Sequence, residues 1–151
     1  MRTSEVVLLA TLIVAMFNAG VIWLTQLVVY PVWALVGEAE WSAYHDAHKR
    51  RLPGTAFVPH GLALLGALLL IVLRPAYVPG WAVWLAFAVE AVMLAATATY
   101  WAPLQIRLSR GNDPRLLRRL LATHWIRAGL VTVFGALLCW MVMLALDQLG
   151  R

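Results

Sequence analysis

Charge is scarce in this chain. Asp, Glu, Lys and Arg make up 13% of its 151 residues, against about 25% in an ordinary soluble domain. Cysteine is nearly absent: Cys139 stands alone inside an apolar run, which excludes a disulfide-stapled secreted scaffold and a C-x-x-C redox pair. There is no G-x-x-x-x-G-K-[ST] phosphate loop and no G-x-S-x-G nucleophile elbow, and no repeat or low-complexity tract. Hydrophobic residues fill 63% of the chain, with a mean hydropathy of +0.80. A disordered chain and a soluble Rossmann or β-barrel enzyme are both excluded, and an integral membrane protein is left.

Four stretches approach the roughly 20 apolar residues that a helix needs to cross a bilayer core of about 30 Å. They run over residues 6–30, 55–73, 78–101 and 120–146. Ser4 with Glu5 reads as the cap of the first, Pro53-Gly54 and Arg74-Pro75 bound the second, and Pro103 stops the third. Asn112-Asp113-Pro114 opens the fourth helix, whose first turns are basic and amphipathic. Short connections between successive spans imply a single all-α domain over residues 1–151, an up-down-up-down four-helix bundle. In the first loop, Glu38 to Arg51 shows apolar and aromatic residues at helical spacing, which predicts a short helix at the membrane interface.

Lys and Arg outnumber Asp and Glu by 12 to 7, but the excess sits beside the spans, which reads as membrane orientation and not as nucleic-acid binding. Lys49, Arg50 and Arg51 lie in one loop and Arg107, Arg110, Arg115, Arg118 and Arg119 in another on the same side. The opposite side has Arg2, Arg74 and Arg151. The positive-inside rule makes the first side cytoplasmic and both termini external, in an inner membrane for a bacterial chain.

On this frame the four histidines share the cytoplasmic half although they come from three segments. His45 and His48, three apart, would share a helix face; His60 and His124 each lie about a turn inside a span. Four neutral imidazoles at one depth suit zinc, copper or iron, and two of them suit haem. The alternatives are solvated loop histidines and interhelical hydrogen bonds.

Arg127 is three residues after His124, and is either a snorkelling arginine or an anion clamp. Glu90 falls mid-span, where it must be protonated, paired or in a polar cavity. It reads as a general acid/base on a polar track through Thr97, Asn18 and Thr25, with Gln26, Tyr30, Asn18 and Thr97 as substrate-binding candidates, or as a neutral group bonded to Asn18. Gly61, Gly66, Ala67, Gly129 and Gly135 permit close helix packing.

The strings Gln26-Leu27-Val28-Val29-Tyr30-Pro31, Tyr44-His45-Asp46-Ala47-His48 and Thr123-His124-Trp125-Ile126-Arg127 resemble a group of small bacterial four-span membrane proteins, distantly similar to the anthrone-oxygenase-like membrane family. That resemblance implies oxidation of lipophilic aromatic compounds. The sequence therefore predicts a membrane protein with a histidine-lined metal or cofactor site acting on a lipophilic small molecule. The alternatives are a lipid-binding or transport protein and a structural subunit, and homo-oligomerisation stays open.

Overall fold

The computed structural model describes residues 2–149; Met1, Gly150 and Arg151, and with them one of the basic residues counted above, lie outside the described residues. The described chain is helical with short connections. Four helices are long and apolar enough to cross a membrane, the mark of a multi-pass membrane protein. We label them α1 (Thr3–Trp33), α2 (Glu38–Val72), α3 (Gly80–Leu108) and α4 (Pro114–Leu149).

Helix starts follow local chemistry. α1 begins two residues earlier than a cap at Ser4 predicts, because Oε2 of Glu5 accepts the Arg2 backbone N–H at 2.9 Å and so satisfies an otherwise orphaned donor. α4 opens as expected. Asp113 Oδ1 accepts the backbone N–H groups of Arg115 at 2.8 Å and Leu116 at 3.3 Å, with Pro114 in the first helical position.

Prolines do not end the helices where the sequence suggested. Residues 38–52, expected as a separate interfacial helix, run on through Pro53-Gly54 into the second span, and α3 continues past Pro103 to Leu108. A single π turn precedes three of the four interior prolines: Thr25–Val29 before Pro31, Pro53–Phe57 before Pro59, and Thr97–Trp101 before Pro103. In each, the residue before the proline donates to a carbonyl five residues back: Tyr30 to Thr25, Val58 to Pro53 and Ala102 to Thr97. The carbonyl a proline ring would strike, four residues back, then lies inside the widened turn and is displaced from the ring. All three π turns lie toward the end of the bundle that carries Lys49 to Arg51 and Arg115 to Arg119, hereafter the basic end.

Side-chain pairs fix the helix directions. Along α1, Met16 meets Gly135, Trp23 Nε1 donates to Thr132 Oγ1 at 3.0 Å, and Gln26 reaches His124, so α1 and α4 are antiparallel. Trp81 stacks on Trp140 and Trp101 bonds Thr123, so α3 and α4 are antiparallel too. Gly66 packs against Thr11 so closely that a Cβ would overlap the threonine side chain, as the small-residue reading expected. Gly61 and Gly129, by contrast, have open space beside them.

The interior is layered. Away from the basic end, Leu8, Ala15, Ala63, Ala67, Leu70, Ala86 and Phe134 close the bundle with apolar contact. Toward mid-depth, Ile22, Met93, Ala128 and Val131 form a smaller plug. At the basic end the core is aromatic, built from Tyr30, Trp33, Trp41 and Trp101 with Leu104, Leu108, Leu117 and Leu120. Trp33 and Trp41 are fully buried there. Trp41 Nε1 donates to the Leu108 carbonyl at 2.6 Å, tying the start of α2 to the end of α3.

Candidate functional site

Between the apolar and aromatic layers the bundle buries an unusual number of polar side chains: Asn18, Gln26, His60, Glu90, His124 and Arg127, with His45 above them at the basic end. In hydrocarbon each must find a partner or cost several kcal/mol. Which do and which do not defines the site.

Glu90 is paired. Its Oε1 lies 2.7 Å from His60 Nδ1, and both groups are buried. Of the partners the sequence allowed for Glu90, Asn18 is not the one used. The remaining atoms of the pair, His60 Nε2 and Glu90 Oε2, have no hydrogen bond among the described residues. The carboxylate thereby sets the ring orientation and leaves the second ring nitrogen for other contacts.

Asn18 is unpaired. It is 2% exposed, and neither Nδ2 nor Oδ1 finds a partner. The contact of Thr11 with Gly66 and the short turn between α1 and α2 put Asn18, two turns nearer the basic end, level with Pro59 and His60. An amide with four unmet hydrogen-bonding positions thus lies at the depth of the His60–Glu90 pair.

A second group lies toward the basic end. His124 Nδ1 is 2.8 Å from Gln26 Oε1, and Gln26 Nε2 donates weakly to the Leu121 carbonyl at 3.4 Å. The His124 ring packs edge-on against Tyr30 at 4.7 Å, and the Tyr30 hydroxyl accepts from Gln105 Nε2 at 2.9 Å. Gln105 Oε1 in turn meets His45 Nε2 at 3.1 Å. His124 Nε2 and His45 Nδ1 are sealed without partners.

His45 and His48 lie on the polar part of α2, before the apolar stretch that crosses the membrane. Both rings pack against Trp33, at 5.3 and 4.8 Å. Burial lowers the affinity of each for a proton, more than the Gln105 bond restores at His45; the neighbouring His45 charge adds to the effect at His48.

Arg127 has the least support of all. It is 8% exposed, its Nε is sealed without a partner, and among the described residues the guanidinium makes neither a hydrogen bond nor an ion pair. Its only close neighbour of complementary chemistry is the Trp101 ring, 5.3 Å from the guanidinium carbon to the ring centroid. Trp101 is itself held by donating Nε1 to Thr123 Oγ1 at 3.2 Å.

Not every expected residue joins the site. Thr97 and Thr25 spend their hydroxyl hydrogens on their own helices, donating to the Met93 and Val21 carbonyls at 2.7 Å each, so the threonine track expected beside Glu90 does not form. Nor do the four histidines gather. Among the described residues no three His, Cys, Asp or Glu side chains form a metal-holding group. His60 goes with Glu90, His124 with Gln26, and His45 with Gln105. This donor set does not fit a zinc, copper or iron centre with three protein ligands. Trp101 gained its role only through the fold, because nothing in the sequence placed its ring against Arg127.

No protein-family model, curated protein or solved structure matches the chain.

Proposed function

We propose that this chain is an integral membrane protein that binds a lipophilic small molecule, taking the polar end of that molecule into the layer of Asn18, His60, Glu90, His124 and Arg127. The observation that carries this reading is the unmet hydrogen-bonding capacity of buried side chains: both amide atoms of Asn18, Nε of Arg127 and Nε2 of His124. Left so, each such group costs about 1–3 kcal/mol. A four-helix membrane protein needs no such groups to fold, since apolar residues at these positions pack at lower cost. A ligand bringing its own donors and acceptors offsets the cost, while its apolar portion stays in contact with the helices and lipid.

Support for a reacting site, as distinct from a carrier, comes from the His60–Glu90 geometry, in which a carboxylate orients an imidazole whose Nε2 has no protein partner. The same arrangement serves a carrier as a fixed hydrogen-bonding group. The basic loops put this layer in the cytoplasmic half of a bacterial inner membrane, with both termini external.

A fluorescent apolar ligand tests the binding reading. The methyl ester of dansyl-labelled undecanoic acid, titrated into the detergent-purified chain, is expected to saturate at one site and to lose affinity in Asn18→Leu. Unsaturable partition, equal in the wild type and the variant, would contradict it. For the acid/base extension, diethyl pyrocarbonate is expected to acylate His60, and Glu90→Gln to slow that reaction. A His60 that resists acylation removes the extension and leaves the binding reading intact.

A further inference from the structure

Arg127 sits within the apolar part of α4. At about 1.5 Å of rise per residue, its Cα is about 10 Å past residue 120, where the apolar span begins. A snorkelling arginine ends with its guanidinium exposed at the interface. This one is 8% exposed and covered on one face by Trp101, which is buried in the aromatic layer. The ring holds the plane of the guanidinium and leaves its N–H edge unengaged. Glu90 Oε1 is taken by His60, and Glu90 and Arg127 form no ion pair. An arginine buried this way, with no ion pair and no hydrogen bond, lacks the oxygen-bearing anion that its fork is built to hold.

The charge of the missing anion follows from what surrounds it. Arg127 is the one buried Lys or Arg among the described residues. His124, a turn earlier on the same face of α4, adds an unpaired ring nitrogen beside it. A single guanidinium with no second cation beside it suits a monoanion, whereas a phosphate monoester near its second ionisation asks for a second cation. The planar edge of the guanidinium matches a carboxylate through two parallel N–H···O bonds.

We propose that Arg127 clamps a single carboxylate, so that the molecule taken up by this site is a monocarboxylic amphiphile of the fatty-acid class. This rests on the binding reading above and names its ligand chemistry. The carboxylate lies against the Arg127 edge, with His124 Nε2 available to the same head, and the apolar chain runs between helices into the bilayer.

Dansyl-labelled undecanoic acid and its methyl ester, titrated separately into the detergent-purified full chain, test this directly. The acid is expected to bind at least about tenfold more tightly than the ester, as a charge-assisted pair requires. Arg127→Lys keeps the charge but loses the fork, so the preference is expected to shrink; Arg127→Gln is expected to abolish it, leaving acid and ester with equal affinity. The wild-type comparison of acid with ester needs no variant, so it decides even if a substitution prevents folding. Equal affinity for acid and ester in the wild type overturns the carboxylate clamp and leaves the binding reading standing. Saturable binding of neither probe overturns both. Displacement of the probe by acetate as effectively as by undecanoate assigns the site to a small free carboxylate and overturns the amphiphile.

Discussion

His60 Nδ1 and Glu90 Oε1 lie 2.7 Å apart inside the bundle, joining α2 to α3 where neither side chain has access to water. This one contact resolves the two costliest residues of their spans into a satisfied pair. Breaking it leaves a buried polar group stranded, so Glu90→Leu is expected to destabilise the purified protein by about 3 kcal/mol or more. Glu90→Gln, whose amide oxygen still accepts from the ring, is expected to lose much less. Thermal or denaturant unfolding in detergent measures both, and equal losses in the two variants would argue against the pair.

Gly66 faces Thr11 across the α1–α2 contact with no room for a side chain. Gly66→Ala is expected to cost about 1–3 kcal/mol, because Thr11 is anchored by donating to the Val7 carbonyl at 2.7 Å and yields only by breaking that bond. Combining it with Thr11→Ala is expected to recover most of the loss, a coupling read from a double-mutant cycle. Strict additivity of the two substitutions would show that the helices do not meet there.

Acid should loosen the basic end. His45 and His48 hold protons less readily in the fold than in the unfolded chain, whose imidazoles titrate near 6.5. Below that value the unfolded state takes up protons that the folded state resists, so stability is full above pH 6.5 and declines as the pH falls through the window beneath it. Melting temperatures at pH 7.5 and 5.5 measure the decline, and a variant with both residues changed to Asn is expected to show a smaller one. An unchanged slope in that variant would move the effect to other groups.

Membrane orientation is checked by labelling. With both termini external, a cysteine introduced at Ser109 is expected to resist a membrane-impermeant maleimide applied from the periplasmic face, once the native Cys139 is replaced by Ala. Rapid labelling there would reverse the topology.

How much of this was legible in the sequence differs by layer. Apolar runs of sufficient length reveal the four spans, because bilayer thickness acts on composition alone. Pro53 and Pro103 misled as helix stops: Pro53 opens a π turn inside a continuous helix and Pro103 follows one, and no composition signal marks such a turn. Burial was readable for Asn18, Glu90, His60 and His124. Partnership was not. The rotation of each helix decides that Glu90 meets His60 and not Asn18, that His124 meets Gln26, and that Arg127 meets only Trp101. For the same reason three of the histidines, His45, His60 and His124, form separate pairs, and no metal-holding group is shared among the described residues.

The central claim is that the unpaired polar groups of the interior serve a ligand at the expense of the fold, and Asn18→Leu tests it most directly. Leucine is nearly isosteric with asparagine and has no polar atoms to leave unmet, so the unfolding temperature of the ligand-free variant is expected to rise above that of the wild type, while affinity for the dansyl-undecanoyl methyl ester falls. A variant that melts lower than the wild type and binds the ester as well would show that Asn18 supports the fold, and would contradict the account.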